Sequence, residues 1–363
     1  MGTRSGTSGS SVTVKDIAHH AGVSVGTVSR VLNGFSNITP ANAERVKKAI
    51  EELGYEKCRS AEMLVARRNG YRIRSGNVGV VFVGMGAGWA VHPLVAEYTR
   101  GVERACVEKG FHALVEFSVD DGKVPRCVRE GKVDGLLIKT TRTLPEFVAD
   151  LPVDMPLVSV GFNDPSVPIQ QVAPDNRGAG WVAAEYLWKL GHRRIAFLCG
   201  DVLHPVFLSR LQGYESFLRM QKGYDPALVA VEEAPFDLQP TEKPPRCDSL
   251  LDRVLPARPT AIIAENDWMA LGLCATLAER GIAVPDDVSV MGFDNDPLSA
   301  MATPPLTTYA VPFSDIAYRA ALELFSQIRQ PEARRHDQSI HLMRGTLVER
   351  ASVRPCAPAT AGR

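Results

Sequence analysis

The chain has 363 residues, 45% of them hydrophobic, and its 41 Lys and Arg balance 41 Asp and Glu. That length exceeds one small headpiece and suits two or three domains, with enough apolar content for a sizeable core. The charge is unevenly spread: residues 13–74 carry eleven Lys and Arg against six acids, net +5, and the remainder carries −5, so a chain neutral overall has a basic head suited to nucleic acid on an acidic body.

Residues 1–11, MGTRSGTSGSS, are polar and Gly/Ser-rich. They lack the apolar stretch of a signal peptide and read as a flexible tail; no later stretch is long enough to span a membrane, so a cytoplasmic protein is expected. From Val12 to Tyr55 the pattern predicts three short helices around a small core. Thr13, with Asp16 three residues on, can cap the first helix, which turns Ile17 and Ala18 inward. Gly22 supplies a turn, and Ser24 caps a second helix with Val28, Val31 and Leu32 at helical spacing. Thr39 and Pro40 open a third, whose apolar stripe is Val46, Ala49, Ile50 and Leu53, closed by Gly54. Two helices across a tight glycine turn plus a supporting helix make a helix-turn-helix, whose second helix enters a DNA major groove. On Ser24–Gly34 the early exposed positions are Val25, Gly26 and Arg30. Arg30 can hold guanine O6 and N7, and Val25 can touch a thymine methyl. Thr27, Ser29 and Asn33 suit phosphates or a base edge.

Residues 57–75 become basic and loop-like, with a marginal helix at Arg59–Leu64 too short to persist alone. From Asn77 apolar runs alternate with amphipathic helices. The runs are VGVVFVG (78–84), HALVEF (112–117), DGLLIK (134–139), PLVSVG (156–161), RIAFLCG (194–200), TAIIAEN (260–266) and DVSVMGFD (287–294). Several are apolar on both faces, as buried parallel strands are. Helices such as Ala96–Lys109, Gly178–Leu190 and Met269–Arg280 end in glycine. This is doubly wound α/β, and about 280 residues of it implies two lobes with a cleft. Polar residues at the carboxyl ends of such strands line ligand crevices. Asp294 follows SVMGF, Asn266 ends AIIAEN, and Arg210 begins a helix after GDVLHPVFLS. Trp89, Phe162, Phe236 and Trp268 are aromatic candidates for the cleft wall, and an Asp/Arg/Asn set with aromatic faces suits a polyol ring.

VKDIAHHAGVSVGTVSRVLNG (14–34) resembles the headpiece of the lactose/galactose repressor (LacI/GalR) family of bacterial transcription regulators. HPLVAEYTRGVE (92–103), VDGLLI (133–138), DNRGAG (175–180), LGHRRIAF (190–197), RLQGY (210–214), NDWMALG (266–272), VPDDVSVMGFDN (284–295), PPLTT (304–308) and LVERASV (347–353) extend the resemblance to about residue 354. It implies a headpiece at 12–56, a hinge at 57–75, a two-lobed periplasmic-binding-protein-like body at 76–356 and a tail at 357–363. The chain would cross between lobes three times, with lobe one at 76–174 and 308–338 and lobe two at 175–307 and 339–356. It further implies effector contacts at Arg210, Asp294 and Asn266 and stacking at Phe236. A minor-groove wedge falls at Leu64, after Ala61 and the hinge start at Arg59. Departures are Lys57 where proline is common, Glu62 where Gln or Arg is usual, and Val311 where glutamine is frequent.

The seven cysteines, Cys58, Cys106, Cys127, Cys199, Cys247, Cys274 and Cys356, are scattered without C-x-x-C, as thiols of a reducing compartment are. Gly84-x-Gly86-x-Gly88 lacks the third small residue of a dinucleotide loop, since Trp89 stands there. The eight histidines are dispersed, and no G-x-S-x-G, H-E-x-x-H or P-loop occurs. No enzyme, metal site or cofactor is therefore expected. The expectation is a homodimeric repressor on a palindromic DNA operator, controlled by a small-molecule effector of the sugar class. A purine- or nucleoside-corepressed regulator is the within-family alternative. A solute-binding transport protein shares the body but not residues 1–75. After the last matched segment only PCAPATAGR follows, without the heptads that a tetramer would use.

Overall fold

The computed structural model describes residues 12–32, 38–53, 75–120, 122–140, 142–152, 154–161, 163–233, 244–329 and 338–356. The chain divides into two compact units, Met1–Ile73 and Arg74–Arg363.

The first unit holds α1 (Val14–Ala21), α2 (Val25–Leu32) and α3 (Pro40–Leu53). The capping box forms as the sequence predicts. Thr13 Oγ1 accepts from the Asp16 amide at 3.4 Å, and the Asp16 carboxylate accepts from the Thr13 amide at 2.8 Å. Gly22 takes φ +61°, where a side chain would be strained and its Cβ would lie 2.5 Å from the Arg45 guanidinium. Ile17, Ala18, Ala21, Val28, Val46 and Ala49 are buried at the centre, while Val31, Leu32, Ile50 and Leu53 pack half-buried around them. A core this small cannot enclose every apolar residue of its helices.

The second unit is built on two six-stranded sheets. The first takes β1 (Asn77–Val83), β2 (His112–Ser118), β3 (Leu136–Lys139), β4 (Leu157–Val160), β5 (Gln170–Pro174) and, much later in the chain, β11 (Ile340–Met343). Their order is β11-β5-β4-β3-β1-β2, and every pair is parallel. The second sheet takes β6 (Ile195–Cys199), β7 (Val229–Val231), β8 (Ala261–Ala264), β9 (Ser289–Phe293), β10 (Thr307–Ala310) and β12 (Thr346–Val348). Its order is β12-β10-β9-β8-β6-β7, with β12 alone antiparallel, against β10. Central strands are buried on both faces, as their apolar runs require.

The helices of this unit are α4 (Pro93–Lys109), α5 (Arg126–Arg129), α6 (Asn176–Lys189), α7 (Pro205–Met220), α8 (Asp248–Val254), α9 (Asp267–Glu279), α10 (Pro297–Met301) and α11 (Phe313–Arg329). Three begin two or three residues earlier than the apolar periodicity indicates, because a polar residue caps each. His92 Nδ1 accepts from Leu94 ahead of α4, Asp175 accepts from Gly178 ahead of α6, and Asn266 accepts from Met269 ahead of α9.

The chain passes between lobes three times, but two expected boundaries move. Residues 307–310 form β10 of the second sheet, and 340–343 form β11 of the first. The crossings therefore fall after β5, between β10 and α11, and between β11 and β12. Backbone pairing assigns these short strands, and their few residues carry no periodic signal of which sheet will take them.

Candidate DNA-contacting helix and ligand cleft

On α2, Val25 is 46% exposed, and Gly26, Ser29 and Arg30 are exposed beside it. Thr27 is half-buried and committed locally: its amide donates to Ser24 Oγ at 3.1 Å and its hydroxyl meets that oxygen at 2.9 Å. Asn33, Arg59 and Leu64, with the departures at Lys57 and Glu62, lie outside the described residues. His20, on α1, meets the Glu52 carboxylate of α3 at 2.7 Å, a contact that sequence spacing does not reveal. The partnership holds Glu52 below the usual carboxylate range.

In the body, two close helix crossings set the site. A Cβ on Gly180 of α6 would lie 1.9 Å from the Arg210 carbonyl oxygen, and one on Gly213 of α7 would lie 1.9 Å from that of Arg177. The missing side chains let α7 approach until Arg210, 2% exposed, reaches the carboxyl ends of β8 and β9. Its Nη2 donates to Asp294 Oδ1 at 2.6 Å, Nη1 to the Glu265 carbonyl at 2.7 Å, and Nε to Asn176 Oδ1 at 3.2 Å. The guanidinium carbon sits 4.7 Å from the centre of the Phe293 ring. Asp294 adopts φ +101° and Asn295 φ +55°, conformations that Asp and Asn tolerate better than most residues.

The structure thus joins Arg210 and Asp294 directly, with Asn266 two residues past the end of β8. Asn266 Oδ1 is engaged as the α9 cap at 2.7 Å, and Trp268 is half-buried on the first turn of α9. Trp89 comes from the opposite lobe. It is 7% exposed, its ring lies 4.7 Å from that of His92, and its Nε1 has no hydrogen-bond partner among the described residues. Burial pulls the His92 imidazole below its ordinary pKa, against the opposing pull of Asp296 and Asp294. Phe162 and Phe236 lie outside the described residues. Val311 is buried in the core beside Tyr309 and Ile316.

Several charged groups that sequence reading missed gather at the same strand ends. Lys139 ends β3, is 7% exposed, and donates from Nζ to the Thr140 carbonyl at 2.7 Å. Burial brings its ammonium down to about 8, partly offset by Asp294. Arg142 forms an ion pair with Asp201, which follows β6 in the other lobe and is fully buried. Asp201 Oδ1 has no partner among the described residues. His204 is pushed down to about 3 by burial and then by Lys139, Arg142 and Arg210. Glu265, accepting from the Gly200 amide at 2.9 Å, is raised to about 7 by burial. Asp267 is likewise raised to about 7, although Ser299 and Thr308 donate to it, each at 2.6 Å. The available signal was position: Lys139, Asp201 and Glu265 each stand at or just after the end of an apolar run, as Asn266 and Asp294 do.

Among the described residues no group of three or more His, Cys, Asp or Glu could hold a metal ion, and no helix is long and apolar enough to cross a membrane.

A helix-turn-helix unit joined to two parallel-sheet lobes around a polar cleft defines a regulatory protein with a DNA-binding head and a ligand-binding body. Residues 13–57 match the bacterial regulatory proteins of the lacI family, and residues 184–353 match a periplasmic binding protein-like domain. The repressor CytR of Escherichia coli (strain K12) is 31% identical over 87% of this chain and 90% of its own. The repressor PurR of Vibrio atlanticus (strain LGP32) is 29% identical over 94% of this chain and 98% of its own. The solved complex of the transcriptional regulator CelR with cellobiose is 28% identical, with a TM-score of 0.65, covering 94% of this chain and all of that one. The chain belongs to the LacI family, and it is a DNA-binding transcriptional regulator rather than an enzyme.

Proposed function

We propose that the protein is a cytoplasmic homodimeric repressor that binds a palindromic operator and changes its DNA affinity when a small polar molecule enters the cleft. In this reading residues 12–56 are the headpiece, 57–75 the hinge, 76–356 the effector-binding and dimerisation body, and 1–11 and 357–363 tails. Val25, Gly26, Thr27, Ser29, Arg30 and Asn33 face DNA, while Arg59 and Leu64 serve the hinge. Arg210, Asp294 and Asn266 hold effector hydroxyls, with Trp89, Trp268, Phe162 and Phe236 as aromatic walls. Two headpieces about one helical turn apart require a two-fold partner. An effector couples to DNA only by binding the two states of the body unequally.

The observation that carries the reading is the Arg210–Asp294 pair at 2.6 Å, seated at the carboxyl ends of parallel strands in a chain whose α2 exposes Val25, Gly26, Ser29 and Arg30. A rigid donor fork beside a carboxylate suits neighbouring ring hydroxyls. CelR, seen with cellobiose, supports the sugar class.

The test is selection of duplexes from a random library by the full chain, followed by footprinting with and without neutral sugars, sugar acids and purine bases. Recovery of a palindrome that one class of small molecule releases supports the reading. Tightening by a purine base would favour the corepressor alternative, and no selected sequence would refute DNA recognition.

A further inference from the structure

The charged groups at these strand ends are not all paired. Arg210 is paired with Asp294 within one lobe and Arg142 with Asp201 between lobes, while buried Glu265 and Asp267 accept from amide and hydroxyl donors. Lys139 is left over. Among the described residues no carboxylate lies within ion-pair distance of it, and its ammonium meets the Thr140 carbonyl at 2.7 Å. Its stem is clamped: a Cβ on Gly161 would lie 3.2 Å from Lys139 Cδ and Cε. Its Nζ stands 5.9 Å from the centre of the buried Tyr98 ring. A held, desolvated ammonium with spare donors is costly unless something anionic meets it. Its position at the carboxyl end of β3, three residues before the Arg142 that reaches Asp201 of the other lobe, places that demand at the strand ends where ligand crevices form. Among the described residues, buried atoms without a partner include Trp89 Nε1, which needs an acceptor, and Asp201 Oδ1 and Glu265 Oε1, each of which needs a donor.

We infer that the effector is an anionic polyol, a small hydroxylated molecule bearing one carboxylate or phosphate that meets Lys139 while its hydroxyls meet Asp201 and the Arg210–Asp294 pair. This rests on the regulator reading above and narrows its ligand class. Neutral sugars satisfy the hydroxyl-binding groups and leave the ammonium uncompensated. A free purine base supplies neither the charge nor the hydroxyls.

The experiment is calorimetric titration of the full chain with matched probes: glucose and gluconate, galactose and galacturonate, glucose 6-phosphate, inorganic phosphate, and hypoxanthine. At least one acid should bind ten times or more tightly than its neutral counterpart and than inorganic phosphate. Comparing gluconate and galacturonate with glucose 6-phosphate decides between carboxylate and phosphate. Lys139→Met should lower affinity for that acid at least tenfold and leave the neutral counterpart unchanged. This variant should keep its fold, since it replaces an uncompensated buried charge with an apolar chain of similar length, and a thermal melt checks that. A neutral sugar or hypoxanthine binding as tightly as every acid, no acid binding at all, or Lys139→Met binding the acid as the parent does, would each overturn the inference. Operator binding is measured beside it: DNA retention that no acid alters sinks the anionic effector alone, whereas loss of sequence-specific DNA binding sinks the regulator reading.

Discussion

Replacing Asp294 by asparagine removes one charge from the Arg210–Asp294 pair and little else. Arg210 is 2% exposed and Asp294 29%, so the guanidinium depends on this carboxylate more than the carboxylate depends on it. A charge-assisted hydrogen bond contributes about 1.5–3 kcal/mol. Asparagine keeps a neutral acceptor, and the partly solvated carboxylate was partly screened, which leaves a loss of about 1–2 kcal/mol. For a body of this size that corresponds to a fall in Tm of roughly 2–6 °C. Alanine should be worse, because it forfeits the acceptor and must adopt φ +101°, at a further cost on the order of 1 kcal/mol. The expected order of melting temperature is therefore parent, Asn, Ala. Both variants should retain operator binding, since the substitution lies in the body, and both should need at least ten times more effector to release DNA. Thermal melts and operator-release titrations on the full chain read these quantities. An Asn variant that melts with the parent and responds at the parent's effector concentration would refute the role given to the pair. An Ala variant as stable as Asn would refute the backbone argument.

Three other outcomes are expected. Arg30→Ala should cost about 1–3 kcal/mol at one operator position and relax specificity there, whereas uniform weakening on all sequences in a footprinting series would make Arg30 a phosphate contact. Gly213→Ala should force α7 away from α6, because the new Cβ would meet the Arg177 carbonyl at 1.9 Å and the Trp181 amide at 2.8 Å; a loss of about 1–3 kcal/mol is expected, and a melt within 1 °C of the parent (about 0.3–0.5 kcal/mol) would contradict the crossing. His204 has a folded-state pKa near 3, below its ordinary 6.5, so the unfolded chain binds the extra proton and stability falls as pH drops below 6.5. At pH 5 this amounts to about 2 kcal/mol. His204→Asn keeps a capping acceptor for Val206 and should lose that acid sensitivity, while the parent–variant difference cancels Glu265 and Asp267, whose raised values act in the opposite direction. Parallel stability curves from pH 7 to 5 would contradict a buried neutral imidazole.

Local chemistry made much of this molecule legible before folding. Thr13 with Asp16, Gly22 and Ser24 are short-range instructions for helix ends, and each is carried out by atoms within a few residues. The apolar runs ending at Lys139, Gly200, Asn266 and Asp294 likewise announced buried strands, because a strand covered on both faces has no room for alternation. Arg210 and Asp294 could be nominated from their places beside those runs. Their 2.6 Å contact required Gly180 and Gly213, distant in sequence, to let two helices touch. The same holds for the last strands. Residues 340–343 and 346–348 are neighbours in the chain and belong to different sheets, a choice made by backbone pairing with β5 and β10 rather than by composition. The cleft's charge was also a tertiary matter. Lys139, Asp201 and His204 look in sequence like ordinary polar residues at or after the ends of apolar runs, and only folding removes them from water, with Arg142 half-buried against Asp201. Sequence determines which groups are polar and where helices and strands can begin. Tertiary structure decides which of those groups lose their solvent, and desolvation is what turns a lysine at the end of a strand into a demand for an anion.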